Sequence, residues 1–347
     1  MGFKFFKRRL FCFIFIEYFG LKRECSHIGP KRKRMLWINW AAPSLGDSLM
    51  DLAARVLLAD RELTLLTHPK NAPLYADDAV FQSVYSDPVK LLRDKGILNF
   101  DLVICDAFSP RVLVRKTIVA PLTPFVGLYG YLNGFEIHRT RFAFERMKEL
   151  LGINQVRIPV RPTLSVSGTV PSPGDSTDVC IALGGEWAFR TYDQWPTVVT
   201  WLVEQGYSVS LIGSDNGKAD AVRIVEIVPM VRSTVGNLAL SEVVSEIARS
   251  KVFMGADGGL WHMATAIGRP SVVLFADCQI FDENGSRVTR ETNDMVCGVL
   301  YDEVRVANIP ANDVIQSLQT LFDRLDALGE LKLPQQDDNQ NLHNFDL

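Results

Sequence analysis

The sequence predicts an α/β protein made of two similar halves, each a parallel sheet with helices on both faces, meeting at a shared cleft. Three observations carry that expectation. Short β-branched or apolar runs alternate with amphipathic stretches of helical spacing, the pattern of βα units. A stretch near the middle, 159–178, is rich in Pro, Ser and Gly and has no apolar period, and the alternation restarts beyond it. The chain has 347 residues, too many for one ordinary domain and comfortable for two. A cleft between two such halves is the usual place for a ligand.

The first half begins after a basic leader, with Met35–Trp40 as a strand. Ala41-Ala42-Pro43-Ser44-Leu45-Gly46 is a loop, and Asp47 opens a helix to about Ala59 with Leu49, Leu52, Ala53, Val56 and Leu57 as its apolar stripe. Leu63–Thr67 and Asp101–Cys105 read as further strands. Val119–Phe135, rich in Gly, Pro and aromatics, reads as a loop-bearing region. Glu136–Leu151 is a helix closed by Gly152. Arg139 and Arg146 share one face of it, either as solvated charges or as a grip on an anionic acceptor.

The second half follows with strand Val179–Leu183, helix Gln194–Glu204, strand Tyr207–Ile212, and helices Gly217–Ile227 and Leu240–Ser250. Val252–Met254 is a strand, Gly255-Ala256-Asp257-Gly258-Gly259 a turn open only to small residues, Trp261–Ile267 a helix and Ser271–Ala276 a strand. A last helix spans about Asn312–Leu328, before a polar tail. The expected division is leader 1–34, first domain 35–160, linker 161–178, second domain 179–330 and tail 331–347. The turn at 255–259 lies where an α/β sheet binds anions, with backbone N–H groups at a helix N-terminus. Glycine alone is equally consistent with a bare tight turn; Asp257 and His262, one helical turn apart, point to a site.

Charge and cysteines narrow the partners. Net charge is −3, but residues 1–34 hold ten Lys and Arg against Glu17 and Glu24, so the leader is +8 and the remainder −11. A body without a basic face by composition argues against a nucleic-acid partner. Phe11–Phe19 is too short to span a bilayer, and basic clusters flanking aromatics suit an anionic membrane surface. A disordered leader, or a start codon upstream of the true one, accounts for the same composition. The six cysteines form no close pair and no metal-ligand spacing, which fits a reducing cytoplasm and no structural metal.

These residues carry a resemblance. Gly255-Ala256-Asp257-Gly258-Gly259-Leu260-Trp261-His262-Met263-Ala264, continuing to Gly268-Arg269-Pro270, resembles the G-x-D-T/S-G-x-x-H-x-A-A-A-x-G-x-P signature of glycosyltransferase family 9, the ADP-heptose:lipopolysaccharide heptosyltransferases. Gly184-Gly185-Glu186-Trp187-Ala188-Phe189-Arg190-Thr191-Tyr192 resembles the family's G-x-x-x-x-x-K-x-W loop. Ser44-Leu45-Gly46-Asp47 is similar to its S-x-G-D turn, and His138–Gly152 to its H-x-x-x-x…L-G helix. The likeness covers roughly residues 35–328.

The resemblance implies a GT-B fold, two Rossmann-like domains facing a central cleft, and metal-independent, inverting transfer with no cofactor. It implies a nucleotide-sugar donor such as ADP-heptose on the second domain, and a lipid-linked saccharide acceptor of the lipopolysaccharide core or another surface glycan on the first. By position, Asp47 matches the general base and Arg190 the cation that neutralises the leaving diphosphate. Gly184, Gly185, Asp257, Gly258, Gly259, Leu260 and His262 match the donor site, with Gly46, Arg139 and Arg146 on the acceptor side. Work at the cytoplasmic face of the inner membrane, with peripheral contact, follows from the same likeness.

Each role has a plainer counterpart: Asp47 as an N-cap, His262 as a structural histidine, Arg190 as a surface charge, Trp187 as core filling rather than a stacking surface. Gly258 stands where the family has Thr or Ser, and Arg190 where it has Lys; the loop after Phe275 also departs from the family's start. Another nucleotide-sugar therefore stays open. So do a nucleotide-sugar epimerase or hydrolase of this architecture and a degenerate sugar-binding paralogue.

Overall fold

The computed structural model describes residues 23–41, 43–97, 99–129, 139–154, 161–165, 176–276, 296–302 and 305–329, with isolated positions between 6 and 14. The linker, the polar tail, most of the aromatic leader and the loop after Ala276 lie largely or wholly outside them.

The first half holds a five-stranded parallel sheet of order β3-β2-β1-β4-β5. Its strands are β1 (Arg34–Asn39), β2 (Glu62–Thr67), β3 (Phe81–Tyr85), β4 (Leu102–Ala107) and β5 (Phe125–Tyr129). The helices are α1 (Leu45–Asp51), α2 (Pro88–Lys95), α3 (Pro110–Val119) and α4 (Arg139–Leu151). β1, β2 and β4 read almost continuously buried, as strands covered on both faces do.

The second half repeats the plan with six strands, β11-β10-β9-β6-β7-β8. These are β6 (Thr177–Leu183), β7 (Val209–Gly213), β8 (Arg232–Ser233), β9 (Ser250–Ala256), β10 (Ser271–Ala276) and β11 (Val296–Asp302). Between and after them run α5 (Trp195–Glu204), α6 (Lys218–Ile227), α7 (Leu240–Arg249), α8 (Gly259–Ala266) and α9 (Ala311–Ala327). Strand order reverses between β1 and β4 in one sheet and between β6 and β9 in the other. Ligands of doubly wound sheets sit outside the carboxyl ends of strands at such points. One apolar cluster runs through both halves, joining Trp37, Leu49 and Phe144 of the first to Phe253, Trp261 and Phe275 of the second.

Two local expectations are corrected. The first helix starts at Leu45, with Ser44 as its N-cap, and ends at Asp51 before two turns of 3₁₀ helix over Ala53–Leu58. Asp47 is thus the third helical residue and does not open the helix; the Ser44 side chain accepts from its backbone N–H instead. The stretch expected to be loop-bearing contains strand β5, whose register with β4 runs from Val103↔Phe125 to Ala107↔Tyr129. The Gly and Pro punctuation there hides a short buried strand that periodicity alone does not separate from a loop.

Candidate active site

Five strand ends and the turns and helix starts beyond them build a cleft of about 860 Å³ walled by both halves. Gly46, Asp47, Gly184, Gly185, Arg190, Asp257, Gly258, Gly259, Leu260 and His262 all line it. Residues separated by two hundred positions are brought together because α1 of the first domain packs on α8 of the second. That packing is close. A Cβ on Gly46 would run into the His262 ring, and one on Gly259 would come within 2.9 Å of the Leu45 side chain.

On the first-domain wall, Asp47 rises from α1 with about a third of its side chain exposed. Its carboxylate pairs with Arg139, the first residue of α4, at 2.8 Å. Asp51, one turn further along α1 and fully buried, takes Arg139 through Nε at 2.5 Å and Nη2 at 2.7 Å. Behind it Asp106, at the end of β4, accepts from the Ala41 N–H at 2.9 Å and from Asn39 at 3.3 Å. Burial, reinforced by the neighbouring Asp51, pushes the Asp106 carboxyl up to about 8 against the pull of backbone N–H groups and Arg139. Asn39 in turn accepts from Ser48 and Thr67. Neither Arg139 nor Arg146 lines the cleft. Arg139 stands behind Asp47, and Arg146 reaches the Gly127 carbonyl and pairs with Glu149 on its own helix.

The opposite wall comes from the turns after β6 and β9. Gly184 adopts φ 76°, where an L side chain is strained, and Asn216 closes over it, 2.8 Å from where a Cβ would stand. Gly185 lies under the Arg190 carbonyl with no room for a side chain. This folds the loop back so that Arg190 faces the buried Asp257, Nη2 to Oδ2 at 3.5 Å. The Asp257 N–H is tied to the Leu274 carbonyl at 2.9 Å, which anchors the turn to β10. His262 is buried, and burial holds its ring below the ordinary histidine range although Asp257 and Asp47 pull the other way. The imidazole is therefore neutral near pH 7. Its Nδ1 and the Nε of Arg190 are buried with no hydrogen-bond partner among the described residues.

Trp187 is not core filling: it is 56% exposed on the cleft wall and stacks on Phe189. Sequence reasoning also missed Lys70 and Asn71, after β2, and Ser214 and Asn216, after β7, which all line the cleft. The signal was present, since polar turns such as Ser214-Asp215-Asn216-Gly217 follow predicted parallel strands at the ligand-binding end. Among the described residues, no group of three or more His, Cys, Asp or Glu is placed to hold a metal ion.

Residues 138–281 match the model of glycosyltransferase family 9 (heptosyltransferase). Solved structures share the fold across nearly their whole length. ADP-heptose lps heptosyltransferase II of E. coli superposes with a TM-score of 0.64 at 16% identity, covering 84% of this chain and 99% of its own. A family 9 glycosyl transferase of Veillonella parvula gives 0.65 at 13% identity, covering 86% and 99%. E. coli heptosyltransferase WaaC with ADP-2-deoxy-2-fluoro heptose gives 0.63 at 16%, covering 83% and 99%. No curated protein matches the sequence. The two parallel-sheet domains form the GT-B fold of these heptosyltransferases, and the match of residues 138–281 to the family 9 model supports a glycosyltransferase.

Proposed function

We propose that this chain moves a heptose, or a related sugar, from a nucleotide-sugar to a saccharide acceptor, with inversion and without a metal. ADP-heptose is the leading donor, because the solved structures of similar fold include WaaC with ADP and with a fluorinated ADP-heptose. The leading acceptor is a lipid-linked saccharide of the lipopolysaccharide core or another surface glycan, met at the cytoplasmic face of the inner membrane with the basic leader lying against it. Among the described residues, no helix is long and apolar enough to cross a membrane.

One observation carries the reading: the carboxylate of Asp47, from the first half, and the Arg190–Asp257–His262 group, from the second, line one cleft. Breaking the bond between sugar and diphosphate builds negative charge on the leaving oxygen. Arg190 and the backbone N–H groups at the start of α8 stabilise that charge, and their fixed positions leave little to reorganise. Asp257 keeps the Arg190 guanidinium aimed, and a neutral His262 donates or accepts without adding charge. The attacking hydroxyl loses its proton as the bond to the anomeric carbon forms, and Asp47 takes it from the opposite wall. A base and a leaving-group cation on opposite sides of the sugar is the arrangement an inverting displacement needs.

The test separates transfer from binding. Asp47→Asn should lower transfer by about 10²–10⁴-fold, while calorimetric affinity for ADP stays within twofold of the wild type. Full transfer activity in that variant would remove Asp47 from the base role. Sugar release from ADP-heptose that does not depend on an acceptor would replace transfer with hydrolysis.

A further inference from the structure

The side chains around Asp47 form a construction of their own. Asp47 and Asp51 lie four residues apart, on one face of α1. Arg139 enters from the first turn of α4 and meets both. Asp51 is fully buried and holds the guanidinium along one edge, through Nε and Nη2. A planar fork gripped along one edge has no freedom to swing, so the direction of the remaining nitrogen is set. That nitrogen, Nη1, is the one 2.8 Å from Asp47 Oδ1. The exposures grade accordingly: Asp51 fully buried, Arg139 at 14% and Asp47 at 32% on the cleft wall.

We infer that Arg139, locked by the buried Asp51, is a positioning residue that fixes the Asp47 carboxylate on the cleft wall with Oδ2 left for the acceptor hydroxyl. The inference rests on Asp47 being the base. A carboxylate on the third residue of a short helix otherwise rotates about two side-chain bonds. A misplacement of about 1 Å can cost about 100-fold in rate. This role also replaces the acceptor grip expected of Arg139 from sequence, because its guanidinium is turned into the α1–α4 junction.

The experiment is a double-mutant cycle with ADP-heptose as donor and a truncated lipopolysaccharide core as acceptor. Arg139→Met should lower kcat by about 10- to 100-fold with KM for ADP-heptose and affinity for ADP unchanged. Arg139→Lys should recover part of the loss. Introduced on top of Asp47→Asn, Arg139→Met should cost less than about twofold, because the group it positions is already gone. Arg139→Met takes a cation away from a buried carboxylate and risks misfolding. The paired variant Asp51→Asn/Arg139→Gln removes both charges together and should show the same loss of kcat with a cooperative melt. A loss that is equally large in the Asp47→Asn background overturns the inference. So does a raised acceptor KM with kcat intact, which would restore Arg139 as an acceptor clamp. An Asp47→Asn enzyme with full rate, or a wild type idle on this pair, removes the base reading and the inference with it. The first two failures leave the base reading standing.

Discussion

Asp106 shows how much a single buried carboxyl can disclose. It is fully buried, one oxygen accepts from Ala41 and Asn39, and the other has no hydrogen-bond partner among the described residues. With Asp51 as a neighbour it retains its proton up to about pH 8, far above an unfolded aspartate near 4. Between those values the folded chain holds a proton that the unfolded chain has lost. This contribution to stability is therefore complete below about pH 4 and fades as pH rises towards 8, by at most about 1.4 kcal/mol per pH unit. Urea unfolding between pH 5 and 8 should show that slope, and Asp106→Asn, a neutral isostere, should flatten it. Identical slopes in the two proteins would mean that Asp106 is ionised when folded. At the same scale, the Arg190–Asp257 pair was legible as residue types at motif spacing, but its 3.5 Å geometry was not. The loop carrying Arg190 folds back over Gly185 through contacts distant in sequence from Asp257.

At the scale of elements, the junction of α1 and α8 is where the two domains touch the chemistry. Gly46 and Gly259 read from sequence as turn residues, and both prove to be places where a helix meets a side chain of the opposite domain. Neither has a positive φ among the glycines of the structure, so space, not backbone freedom, keeps them glycine. Gly46→Ala should push the His262 ring out of place. The expected outcome is a fall in kcat of about 10-fold or more, since sub-ångström placement of reacting groups matters this much. Secondary structure should be unchanged by circular dichroism. A fully active Gly46→Ala enzyme would show that His262 is free to move. Trp187 teaches the converse at this scale. An aromatic in a glycine-bounded loop looks like core, but the one-turn helix Ala188–Arg190 leaves it exposed beside Phe189.

For the whole molecule, the cleft exists because two sheets with the same sense of winding present their strand ends to each other. The shared apolar cluster ties the halves together, and the bond from Arg55 to the Thr163 carbonyl, at 2.6 Å, holds the start of the linker to the first. A nucleotide bridging such a cleft stabilises the folded state by mass action. At a hundred times its Kd, ADP should add about 2.7 kcal/mol, or roughly 2–4 °C in melting temperature. A thermal-shift panel of ADP, UDP, GDP and the matching nucleotide-sugars should single out the adenine members. A preference for uracil or guanine would move the donor to another class, as the Gly258 departure leaves open.

Sequence alone determined the two-domain α/β plan, the strand–turn–helix around Asp257 and the residue types of the second-domain cleft wall, because hydrophobic period and glycine turns are local properties. Only the tertiary structure decided that Arg139 is taken up by Asp47 and Asp51, and that Lys70, Asn71 and Asn216 join the cleft. Those outcomes depend on which helices pack together. Packing couples residues tens to hundreds of positions apart, for which no local spacing carries a signal.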